Sequence, residues 1–87
     1  MEFTDKMWKE VGYIQSSKYR TKVMKSLNEE TKIPSKIAKD TNIRINYMSN
    51  TLRELKEHRL VECINPEVRK GRLYRLTDKG EKLLDKI

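Results

Sequence analysis

Near the middle of the chain, two short runs with helical spacing stand almost back to back. The first opens at Pro34, which fits the first turn of a helix, and closes near Thr41, burying Ile37 and Ala38. The second begins at Arg44 or Ile45 and runs to about His58, with Ile45, Met48, Leu52 and Leu55 at steps of three, four and three. Only a few residues separate them. Asn42 is expected to take the left-handed conformation that turns the chain, and Ile43 to drop into the core. Directly after the second run the period changes from helical to alternating. Leu60 to Ile64 reads as a strand, Asn65 to Gly71 as a turn-rich loop, and Arg72 to Leu76 as a second strand with Tyr74 and Leu76 inward. Two helices joined by a tight turn and followed by a hairpin leave few arrangements open.

The flanks are helical as well. Phe3, Met7, Trp8, Val11 and Ile14 recur at three- and four-residue steps and predict a short helix over Asp5 to Ile14. Ser16 or Ser17 can cap the next helix, Lys18 to about Asn28. There Tyr19, Val23, Met24 and Leu27 form the buried stripe, and Lys18, Arg20, Lys22 and Lys25 turn outward. Lys32 and Ile33 can add a short edge strand. Thr77 caps a last helix with Leu83, Leu84 and Ile87 apolar. The expected fold is mainly α with a small β-hairpin. Residues 1–15 are read as a helical extension, and 16–87 as the domain proper.

Composition narrows the function. Among 87 residues the net charge is +7, with 38% charged and 36% hydrophobic residues. So strong a basic balance favours a polyanionic partner, nucleic acid before an acidic membrane surface. No stretch approaches the roughly 20 apolar residues that span a bilayer, and no secretory signal pattern is present, so a cytoplasmic location is expected. Cys63 is the only cysteine, which excludes an internal disulfide. Cys63 and His58 cannot supply a zinc site. Cys63 is read as a small buried residue and His58 as a solvated cation near a helix end. No Gly-rich phosphate loop or nucleophile–base pair is present, so neither an enzyme nor a cofactor is expected.

The run IPSKIAKDTNIRINYMSNTLRELKEHRLV, residues 33–61, resembles the helix-turn-helix of small regulators related to the MarR and ArsR groups. It carries the Ile37–Ala38 pair, the apolar Ile43 after the turn, Met48–Ser49, Leu52 and Leu55. GRLYRLTDKG, residues 71–80, is similar to the returning wing strand and following helix of those regulators, and YIQSSKYR, residues 13–20, to short archaeal members. The chain departs from the pattern at Arg59, where glycine usually precedes the wing, and at Asn42, where glycine is common in the turn. The resemblance implies a winged helix-turn-helix acting in transcriptional control.

With Met48, Leu52 and Leu55 placed inward, Asn46, Asn50 and Arg53 project from the opposite face, flanked by Tyr47 and Ser49. From Thr41 through Arg53 there is no acid, and none from Val11 to Asn28. Arginine can grip guanine with two hydrogen bonds, and asparagine adenine; hydroxyls suit bases or phosphates. Arg44, Asn46, Tyr47, Ser49, Asn50 and Arg53 are therefore the candidates for reading double-stranded DNA from a recognition helix over 44–58. Arg69, Lys70 and Arg72, in a wing loop over 65–72, are candidates for the backbone or minor groove. Lys18, Arg20, Ser35 and Lys36 are weaker candidates for phosphates near two helix starts. The first helix offers Met7, Trp8 and Val11 for a homodimer, with packing of Trp8 on the domain as the other reading. The alternative is a winged helix used for protein or RNA contacts. An acid-free face argues against the first. The scarcity of aromatic platforms, Tyr47 being the one well placed, argues against the second.

Overall fold

The computed structural model describes residues 3–87. The elements run α1 (Asp5–Gln15), α2 (Lys18–Ser26), α3 (Pro34–Thr41), α4 (Ile45–Glu57), β1 (Val61–Cys63), β2 (Tyr74–Leu76) and α5 (Asp78–Leu84). The order is the expected one, with α2 two residues shorter and both strands trimmed. Hydroxyls fix three helix starts. Thr4 accepts from the Met7 amide, Ser17 from Arg20 and Thr77 from Gly80, each satisfying a donor the helix itself leaves open. Helices α3 and α4 start without such a side-chain cap.

Both helices of the central pair end by the same device. Asn42 has φ 59°, and the next amide, Ile43, donates back to Ala38 O at 3.2 Å. Arg59 also has φ 59°; its amide reaches Lys56 O at 2.9 Å, and Leu60 N reaches Leu55 O at 2.9 Å. This is the Schellman pattern, in which a left-handed residue lets the chain turn back and satisfy the last carbonyls. Glycine would fill these places at least cost. Asparagine tolerates them well, and Arg59 is held there by Leu60 and Val61, both buried in the core.

The core forms where these elements meet. Ile14, Val23, Met24, Ile37, Met48, Leu55, Leu60 and Leu83 are completely buried, and Val11, Leu27, Ile43, Leu52, Val61 and Leu76 nearly so. Each such side chain removed from water contributes about 1.5–3 kcal/mol of hydrophobic stabilisation. Val11 and Ile14 belong to this same core, so α1 is packed into the domain. The strands pair antiparallel in the register Val61↔Leu76, Glu62↔Arg75 and Cys63↔Tyr74. Lys32 adds a single bridge to Tyr74, its amide donating to Tyr74 O at 3.0 Å and its carbonyl accepting at 2.8 Å. The short edge strand expected at Lys32 and Ile33 is thus one residue deep.

Lys32 also links α2 and α3. Its side chain is 9% exposed, and Nζ donates to Asp40 Oδ2 at 2.8 Å and Ser26 Oγ at 3.1 Å. Burial alone would lower its pKa, but the bond and charge of Asp40 outweigh burial and raise it. Hydrogen bonds from Lys32 and then Lys36 hold Asp40 below the usual carboxylate range. Among the described residues, no helix is long and apolar enough to cross a membrane.

Candidate nucleic-acid interface

Helix α4 buries Met48, Thr51, Leu52 and Leu55 against the core. Thr51 donates its hydroxyl to Tyr47 O at 3.0 Å, so its burial leaves no unsatisfied polar group. The opposite side is open: Arg44, Asn46, Tyr47, Ser49, Asn50 and Arg53 are all exposed, on the face expected. Arg53 lies along the helix, donating to Glu57 Oε1 at 3.1 Å and to Asn50 Oδ1. Both members of the Arg53–Glu57 pair are 61% exposed. Such a pair contributes only about 0.3–0.5 kcal/mol, so Arg53 can exchange it for a stronger partner at little cost. With Arg44 at the start of α4 and no side-chain cap there, the helix offers its first amides and a cation together.

The hairpin loop has its own internal frame. The Asn65 side chain accepts from Leu73 N at 2.7 Å and donates to Gly71 O at 3.1 Å. Gly71 has φ +74°, a conformation that favours glycine. Arg72 is exposed, but its guanidinium bridges back to Val68 O at 2.7 Å and Pro66 O at 3.3 Å. It therefore shapes the loop, whereas Arg69 and Lys70 are exposed and, among the described residues, unpaired. Of the weaker candidates, Lys18 and Ser35 are exposed. Lys36 is exposed and pairs with Asp40 at 3.0 Å.

Five expectations are corrected. Arg20 does not turn outward. Its side chain is 15% exposed, stacks 3.9 Å over the Tyr13 ring, and bonds to Tyr13 O at 2.7 Å and Ser16 Oγ at 3.0 Å, with Glu54 at 3.4 Å. Its cation is committed inside the protein and is removed from the phosphate candidates. Tyr19, expected in the buried stripe of α2, is 40% exposed in the first turn of that helix. His58 is not a freely solvated cation. Its ring stacks on Tyr13 at 3.8 Å and Nδ1 lies 3.0 Å from Glu10 Oε2. Cys63 is half-buried, its thiol 3.6 Å from Asn65 Oδ1. The dimer face is not formed as expected: Val11 is 4% exposed within this chain's own core and Met7 packs against that core, leaving Trp8 alone exposed, its ring against Phe3.

Two features were not read from the sequence. Tyr19 joins the interface, its ring centroid 5.7 Å from that of Tyr47, so the start of α2 and the start of α4 share one surface. Its place between Lys18 and Arg20 in a first turn was the available signal. Behind the interface runs a chain of contacts through Glu54, Arg20, Tyr13, His58 and Glu10 to Lys79, whose Nζ reaches Glu10 Oε1 at 2.8 Å and His58 O at 2.9 Å. Burial would raise the Glu10 pKa, but hydrogen bonds from Lys79 and His58 outweigh it, and the carboxyl lies below its usual value. These contacts tie the far end of α4 to α1, α2 and α5.

A search of curated proteins gives no match to this chain. The family model described as winged helix-turn-helix matches residues 15–87, from the end of α1 through the last helix. With that match covering most of the sequence, and the helix pair and hairpin in place, the chain belongs to the winged helix-turn-helix family.

Proposed function

We propose that this chain binds double-stranded DNA and regulates transcription, with the recognition helix over 44–58 in the major groove and the wing loop over 65–72 on the backbone or in the minor groove. One observation carries the reading. Arg44, Asn46, Tyr47, Ser49, Asn50 and Arg53 are exposed together on a helix face within a stretch, residues 41–53, that holds no acid. A helix about 10–12 Å across fits a major groove about 12 Å wide. Its exposed groups are those that pair with base edges, and Arg69 and Lys70, unpaired among the described residues, suit phosphates. Family membership supports the same conclusion, since this fold is widely used on duplex DNA. The finer kinship with the MarR and ArsR groups rests on the pattern of residues 33–61. The role is that of a binding module, not an enzyme.

Titration of isotopically labelled protein with a random-sequence duplex, followed by amide chemical shifts, tests the placement. Shifts are expected to concentrate at residues 44–53, at Lys18 and Tyr19, and at 69–72, while Trp8 and Lys9 stay unchanged. Shifts centred on α1 or α5 would contradict it. A stronger response to single-stranded RNA of the same length would move the assignment to RNA, for which the Tyr19–Tyr47 ring pair offers a small platform.

A further inference from the structure

We propose that Ile45 reads the 5-methyl group of thymine, making it a specificity-determining residue of the interface; this rests on the assignment of α4 to the major groove. Ile45 is the first residue of α4 and is 56% exposed, the most exposed of the large apolar side chains among the described residues. The helical period would place it with Met48, Leu52 and Leu55, which are buried, yet it stays outside the core. At steps of four it shares a strip with Ser49 and Arg53, both exposed. Its chain neighbours Arg44 and Asn46 are exposed as well.

An isoleucine side chain can neither donate nor accept a hydrogen bond, and it cannot neutralise a phosphate. On a face whose other groups are polar or cationic, the partner it can use is apolar. In the major groove the base edges present one such group, the methyl on C5 of thymine. The charge around Ile45 selects that setting over an apolar protein surface. Residues 41–53 are free of acid, and Arg44 stands beside Ile45 with no partner among the described residues. An apolar protein surface would leave that arginine unpaired on burial, whereas a duplex supplies phosphates next to every methyl. The interface would therefore favour a thymine, or a cytosine methylated at C5, under the start of α4, and disfavour unmethylated cytosine or uracil there.

The test uses two duplexes that differ only in that methyl: alternating deoxyadenosine–thymidine, and the same duplex with deoxyuridine for every thymidine. Binding of the full chain and of Ile45→Ala is measured by fluorescence anisotropy at one low salt concentration. Each methyl buried is expected to contribute about fourfold in affinity. The original chain should thus bind the thymidine duplex about fourfold or more tightly, while Ile45→Ala should distinguish the two by less than about twofold. Ile45 is exposed, so the variant's thermal midpoint should match the original's, which shows that any loss is local. Equal affinity of the original chain for both duplexes overturns the proposal and leaves DNA binding standing. The same thymidine preference in both proteins also overturns it, placing the methyl contact elsewhere. No binding of either protein to either duplex overturns the DNA reading itself, and this proposal with it.

Discussion

Gly80→Ala is expected to lower the thermal midpoint by roughly 8–24 °C, a loss of about 2–3 kcal/mol in a domain of this size. Gly80 is buried in α5, and a methyl placed on it would lie 2.2 Å from Leu60 O. That oxygen belongs to backbone and cannot swing aside. It also accepts from Thr77 N at 3.1 Å, at the cap of α5. Leu60 is the residue through which α4 closes its last turn. Relief of the clash therefore has to separate α5 from the end of α4, and the disturbance reaches the helix that carries the interface. The matched control is Gly12→Ala. A Cβ there meets nothing within 4 Å, and replacing glycine in a helix interior should stabilise by about 0.5–1 kcal/mol. Calorimetric or circular-dichroism melting of the two variants checks both signs. A melting point for Gly80→Ala equal to that of the original chain would mean that α5 does not pack on Leu60 as described.

Arg53→Ala should weaken binding to a preferred duplex by about 1–3 kcal/mol, roughly 5- to 150-fold, and relax the base preference at one position. The guanidinium is exposed and, among the described residues, is held by Asn50 and an open pair with Glu57. Its removal should hardly change stability, so the loss would report on DNA. Arg69→Ala should behave differently. Its side chain has no partner among the described residues, and its loss should weaken all sequences alike while reducing the salt dependence by about one phosphate contact. Binding measured on a preferred and a scrambled duplex separates the two roles. Equal losses on both duplexes from both substitutions would take base reading away from Arg53.

Much of this molecule is visible in its sequence because its signals are local. Asn42 and Arg59 mark two left-handed turns at the places where apolar periodicity stops. Ser17 and Thr77 cap the helices they precede, and Pro34 opens α3. The exposed α4 residues of the acid-free stretch share one helix face because Met48, Leu52 and Leu55 are buried on the other. The misread residues fail for two physical reasons. Tyr19 obeys the helical period but lies in the first turn of α2 and is exposed, so spacing overstates its burial. Arg20, His58 and Val11 depend on partners far away in the chain. Arg20 meets Glu54, His58 meets Glu10, and Val11 joins a core built from every helix. No local pattern carries those pairings, and a basic residue in a basic segment reads as a surface cation until its carboxylate and its aromatic ring are placed.

The central claim is that α4 and the wing form a surface for duplex DNA. The most direct test is fluorescence anisotropy of a labelled random-sequence duplex titrated with the full chain across a series of salt concentrations. Micromolar or tighter binding is expected at low salt. Log affinity should fall linearly with log salt, at about −0.9 per phosphate neutralised, giving several contacts from Arg44, Lys18, Arg69, Lys70 and the helix starts. Absence of binding at low salt, or an affinity indifferent to salt, would contradict it.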